Sequence, residues 1–332
     1  MTEPSDSTNG LQIVIENLSE EGAQLLAAGI QSSADGGALA QLIGAVTSAL
    51  RPEDRAKTRL VITGDLVATV NAREDRTDTP FMMERGAGVV AAKTMPPNAD
   101  GLVDILIPVY WLLPLEDVQE TAEQSRLIQH LAAHEAVHAS IHHIGDEPFD
   151  LHHREEFGYA LMNFVSMASE QIEEHLAEYL GSQVTGREVE QSASNVEASI
   201  EAWQETLATE LPAIPEDDPD YFQRGMLVTF NALHILWKTL AYLAAALRTE
   251  DGFRPVPSDI ASLPGWRQHI APWWERYLGL LGEIPMTVEV DIAATDEVVR
   301  EMGLHLQIWA DELGFDFHDT PQGGFFRIKL WD

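Results

Sequence analysis

The chain contains no cysteine. Disulfides and thiolate chemistry are therefore excluded, and cysteines say nothing of the redox compartment. Basic residues are scarce. Lysine occurs only at Lys57, Lys93, Lys238 and Lys329, and 20 Lys+Arg stand against 54 Asp+Glu, a formal charge of −34. A surface of that sign repels nucleic acid and anionic membranes, so neither is an expected partner. High-salt adaptation, a compositional bias against lysine, or a basic partner or substrate would each produce such acidity. The opening MTEPSDSTNG lacks the basic and apolar regions of a secretory signal, and the expectation is a cytoplasmic protein. Only one long apolar run occurs, at 225–247. It has the length of a membrane span, but Asn231, His234 and Lys238 fall mid-segment, where ionisable groups are expensive in lipid. It reads as the buried helix of a soluble domain.

What is present is an ordinary globular composition, 45% hydrophobic over 332 residues, enough for two domains or one large one. After an acidic tail at 1–10, read as disordered, the pattern predicts a strand at 11–15 and a helix from Ser19 to about residue 30. A Gly-containing break then precedes a helix to about residue 50. Residues 60–63 and 66–70 read as strands joined by Gly64-Asp65, a two-residue hairpin signal. Further strands are expected at 88–93 and 103–109, the second ending or lying at an edge because of Pro108. Long helices follow. The tail of the chain reads as strand 287–292, helix 295–313 and strand 325–330. The fold class is α+β.

The stretch that concentrates chemistry is QHLAAHEAVHASIHHIG, residues 129–145, which contains His134-Glu135-Ala136-Val137-His138, an H-E-x-x-H pattern. No Pro or Gly falls between residues 115 and 144, so a helix carries it. Leu127, Leu131, His134, His138 and Ile141 follow one helical stripe, so both imidazoles continue an apolar face. Histidines four apart on a helix can reach one metal ion. Zinc suits two imidazoles and a carboxylate with one position open for water, and Glu135 would be the general base beside that water. The bland alternative is an incidental ladder of His130, His134, His138 and His142. A third ligand is expected from the second long helix, 155–180, where Glu170, Glu174, His175 and Glu178 cluster.

Strands followed by an H-E-x-x-H helix resemble the zincin metallopeptidases, and Glu174-His175-Leu176-Ala177 resembles the E-x-x-A of the gluzincin branch. That resemblance implies a zincin-like small twisted sheet with the active-site helix beneath it. It further implies an edge strand, at 88–93 or 103–107, that pairs with extended substrate backbone. It makes Glu174 the third zinc ligand and Glu178 the acceptor of a free imidazole N–H. The chain departs from the pattern at Glu178, where Asp or Asn is usual. The metzincin pattern is absent, because Ile141 and Ile144 stand where it needs Gly and His. His152, His153 and Tyr159 are candidates for stabilising an oxyanion. The likeness covers residues 11–183. Residues 184–332 form a mainly helical C-terminal region to which no motif attaches.

The expected function is zinc-dependent hydrolysis of a peptide or protein substrate. Glu135 takes a proton from water and passes it to the leaving amine. The alternative is a non-catalytic regulatory or binding protein on a zincin scaffold, compatible with the motif-free C-terminal half. A di-iron bundle, suggested by Glu135-x-x-His138, would need a second E-x-x-H, and none is present.

Overall fold

A computed structural model describes residues 10–31, 37–74, 81–85, 88–112, 118–144, 158–187, 191–215, 218, 220–289, 292–321 and 323–328. The tail at 1–9, His152 and His153 lie outside these residues. The chain forms two compact units, the first of 1–84, 89–145 and 177–188, the second of 85–88, 146–176 and 189–332.

The first unit runs β1 (Gln12–Glu16), α1 (Glu20–Gln31), α2 (Gly37–Ala49), β2 (Thr58–Thr63) and α3 (Leu66–Glu74). The short strands β3 (Glu84–Arg85) and β4 (Gly88–Val89), of which 85–88 count with the second unit, come next in the chain, followed by β5 (Lys93–Thr94), β6 (Val103–Pro108) and α4 (Val118–His142). Its sheet has the order β1-β2-β6-β5. The first three strands are parallel, and β5 joins antiparallel to β6, pairing Lys93 with Leu106 and Thr94 with Ile105. The central strands are buried on both faces, hence their continuous apolar runs. Leu60, Ile62, Ile105 and Ile107 pack with Leu42 and Val46 of α2 and Ala132, Ala136 and Ala139 of α4. Val61 and Leu106 pack on the other face with Leu66 and Val70 of α3. The alanines of α4 let its backbone lie close to the sheet.

Two expectations fail here. Residues 66–70 are the start of helix α3 and not a hairpin partner of β2. Asp65 caps that helix, its Oδ1 accepting from the Ala68 N–H at 2.9 Å. Gly64 is exposed, but its N–H donates to the Glu16 carbonyl at 3.2 Å and a Cβ there would lie 2.2 Å from the Asn17 carbonyl oxygen, so the close approach to the chain after β1 is what requires glycine. The run 88–93 is not one strand either, since only 88–89 and 93–94 are extended and paired. The strand at 103–108 ends at Pro108, one of the two expected outcomes, and lies between β2 and β5, so it is no edge; β1 and β5 are the outer strands of the four.

The second unit is mainly helical. Helix α5 (Tyr159–Thr185) begins in it and ends in the first unit. Then come α6 (Ala193–Glu210) and α7 (Tyr221–Leu247), a short ribbon of β7 (Arg248–Thr249) and β8 (Gly252–Phe253), α8 (Ser258–Ser262), α9 (Ala271–Glu283) and α10 (Ile292–Glu312). The hairpin β9 (Phe315–Thr320) and β10 (Gly323–Ile328) follows. Ser192 caps α6, its hydroxyl accepting from Asn195 N–H. Helix α7 buries Leu233, Leu236, Trp237, Leu240 and Ala241. Residues 223–247 have the length and apolar composition of a membrane span, the weak signal that a buried core helix also gives.

The expected strand at 287–292 is absent among the described residues. Residues 287–289 bend, Ile292 already opens α10, and 290–291 lie outside the described part. The Thr287 hydroxyl accepts from the Glu289 N–H at 3.2 Å, a local turn that competes with strand pairing. Strand β9 was not anticipated. It alternates, burying Phe315 and Phe317 and leaving His318 exposed.

Candidate metal centre

Helix α4 places the H-E-x-x-H residues through its packing on the sheet. Its alanine face meets the strands, which turns His134 and His138 to another side of the helix and Glu135 toward the sheet edge. His134 and Glu135 are buried at 5% and 8% exposure, and His138 is partly buried. The two Nε2 atoms stand 3.2 Å apart, with ring centroids at 4.9 Å.

His134 Nδ1 lies 2.9 Å from Glu178 Oε2 on α5. A carboxylate accepts, so His134 donates Nδ1–H there, and whenever the ring is neutral the lone pair lies on Nε2, facing His138. Burial pushes the Glu178 carboxyl up, but contacts with His130 and His134 outweigh it and hold the group well below the usual carboxylate range. The helices approach closely: a Cβ on Gly181 would lie 3.0 Å from His134 N and 3.2 Å from its Cα. Glycine at that position lets Glu178 reach the imidazole.

Glu135 is held from the sheet. Thr94 of β5 offers its hydroxyl to Glu135 Oε2 at 2.7 Å and to the Glu135 carbonyl at 2.8 Å. This contact joins the outer strand to the motif, and nothing local to Thr94 in the sequence announces it.

Glu174 stands one turn before Glu178 on α5. One donor atom each from His134, His138 and Glu174 lie within 4.8 Å of one another, a group that could hold a metal ion. Two nitrogens and an oxygen suit zinc and other first-row divalent ions. Glu174 also accepts from Tyr242 Oη at 2.7 Å and from Lys238 Nζ, both on α7. Neither was anticipated.

The other candidates for third ligand are engaged elsewhere. Glu170 is exposed and 2.9 Å from His234 Nδ1. His175 is fully buried, its Nδ1 3.4 Å from the Ala241 carbonyl, and burial lowers its pKa to about 3. Tyr159 is exposed at the first turn of α5, fifteen residues before Glu174. At ~1.5 Å per residue that is about 22 Å along the helix, so Tyr159 is not an oxyanion donor for this group.

No protein-family model, curated protein or solved structure matches the chain.

Proposed function

We propose that the chain is a zinc-dependent peptidase of the gluzincin type. The observation that carries this is the facing pair of Nε2 atoms of His134 and His138, 3.2 Å apart, with the rear nitrogen of His134 on the Glu178 carboxylate. Metal-binding imidazoles ordinarily have their other nitrogen held in this way. His134, His138 and Glu174 would hold the metal, which when bound acidifies water and polarises a carbonyl.

The chain's own groups supply the rest. Glu135 is next to the ligands in sequence but turned to β5, where Thr94 fixes one of its oxygens and leaves the other to accept a proton from water. The same carboxyl then returns that proton to the leaving amine. Among the described residues β5 is an outer strand of its sheet, the one that touches Glu135, which supports an extended peptide as substrate.

A second reading, a non-catalytic regulatory protein on the same scaffold, is favoured by the hold of Lys238 and Tyr242 on Glu174. A carboxylate already neutralised by an ammonium needs no metal to be stable. The two readings part on Glu135→Gln. A peptidase should retain about one zinc per chain and lose cleavage of a responsive peptide by ~10²–10⁴-fold. Zinc retention with unchanged cleavage sinks the hydrolytic mechanism, and wild-type protein that takes up no zinc sinks the metal.

A further inference from the structure

Three imidazoles, His130, His134 and His138, stand on successive turns of α4, and the proposed metal centre uses only two. His130 is 4% exposed, between Ile128 and Ala132 of the apolar core. Among the described residues neither of its ring nitrogens has a hydrogen-bond partner. Yet its Nε2 lies 3.1 Å from Glu178 Oε1, close enough for electrostatic contact though off the line of a hydrogen bond. A buried imidazole without a hydrogen bond costs stability, so packing alone favours an apolar residue there. What His130 adds is a polar partner for the carboxylate oxygen that His134 leaves unused.

We propose that His130 is a positioning residue of the metal centre, acting through Glu178. The carboxylate is shared between two imidazoles, Oε2 at 2.9 Å from His134 Nδ1 and Oε1 at 3.1 Å from His130 Nε2. With both oxygens engaged the carboxylate cannot rotate freely. His134 is thereby kept donating from Nδ1, with Nε2 turned toward His138. The series His130, Glu178, His134 extends the centre one helical turn beyond the H-E-x-x-H motif. The inference rests on the metal reading above and adds a residue that the motif does not contain.

The test compares zinc affinity, by competition with a chromophoric chelator, and the visible spectrum of the cobalt-loaded protein. The variants are His130→Phe, His130→Gln, Glu178→Gln and the pair His130→Phe with Glu178→Gln. Loss of an outer partner typically weakens metal binding ~10–100-fold. His130→Phe should fall near ten-fold and shift the cobalt bands. His130→Gln, whose amide N–H can still meet Oε1, should recover most of the affinity. The pair should be no worse than Glu178→Gln alone, because both act through one carboxylate. If His130→Phe does not fold, His130→Leu takes its place in the same comparison. Wild-type affinity and spectrum in His130→Phe, or a Gln variant as weak as the Phe variant, overturns the proposal and leaves the metal reading intact. Wild-type protein that binds neither zinc nor cobalt overturns both.

Discussion

In the sheet-containing unit many of the buried polar groups have partners. Thr94 holds Glu135, Thr63 and Thr69 share a hydrogen bond at 2.6 Å, and Thr58 meets His143 at 3.0 Å. Asp104, 4% exposed, accepts from Arg59 at 2.6 and 2.7 Å and from Arg73 at 2.7 Å. In the helical unit the indole N–H groups of Trp203, Trp237, Trp274 and Trp309 are buried without a hydrogen-bond partner. Their rings pack instead, Trp237 on Trp309 at 5.4 Å and Trp266 on Trp274 at 5.0 Å. The magnitudes explain the tolerance. A buried indole removes about 150–250 Å² from water, roughly 4–6 kcal/mol at ~25 cal/mol per Å². An unsatisfied N–H costs about 1–3 kcal/mol. Area wins where only cohesion is required. Directed pairing surrounds Glu135, held by Thr94, and His134, held by Glu178.

The sharpest way to break this contrast is at Trp237. Trp237→Ala should destabilise the protein by about 3–5 kcal/mol in urea unfolding. Trp237→Phe, which removes the unpaired N–H along with part of the ring, should cost well under half of that. A Phe variant as damaging as Ala would mean that the indole nitrogen has a partner.

Acid should then act first on the helical unit. Burial lowers the pKa of His175 to about 3, and also lowers those of His269 and His305, against an ordinary value near 6.5. A histidine whose folded pKa is depressed costs nothing above about pH 6.5. Below it the unfolded chain takes the proton and the folded chain does not, so stability falls by about 1.4 kcal/mol per pH unit, for His175 until about pH 3. The sheet-containing unit has His143 shifted the same way, while the Glu178 contribution is lost only below the usual carboxylate range. Urea midpoints between pH 7.5 and 5 should fall, and the fall should shrink in His175→Phe. A flat profile would show that these imidazoles are solvated.

A smaller effect is expected at Thr94. Thr94→Val, equal in shape, leaves Glu135 without its donor and should cost about 1–3 kcal/mol, whereas Thr94→Ser should lie near wild type. A Val variant near wild type, with the loss in the Ser variant instead, would assign the effect to the methyl group. The smallest effect belongs to Gly181→Ala, whose methyl would press on the His134 backbone at 3.0 Å. About 1 kcal/mol of stability and a few-fold in zinc affinity are expected, read by thermal melting and chelator competition.

The helices were legible because their apolar spacing runs over many turns. Thus α4 and α5 stand close to where periodicity puts them, and Glu178, expected beside His134 or His138, lies 2.9 Å from His134 Nδ1. Short segments failed where one local contact decides. Asp65 caps a helix at a Gly-Asp that reads equally as a hairpin, and Thr287 folds a β-branched run into a bend. In the candidate site, residues within a turn or two of the motif could be named from spacing. Thr94, Lys238 and Tyr242 could not, because they reach it from distant parts of the sequence and are common residue types without a motif. The close approach of Gly181 to His134 is visible only with both helices in place. His130 was in view as part of a histidine ladder, but no pattern distinguishes a ring that faces a carboxylate from one that merely fills a stripe.

Lys238, one of four lysines in a chain with 54 acidic residues, rests on Glu174. The carboxylate therefore carries its own counter-ion. On the metal reading proposed above, an arriving divalent cation would meet an ion pair and not a bare charge, and loading would be an exchange in which the ammonium gives way. The lysine side chain is 39% exposed, so the displaced ammonium would be received by water, and an ion pair this open to solvent contributes little by itself. Uptake of the ion would raise the local charge by one unit where two are added, and release would return the ammonium to the carboxylate.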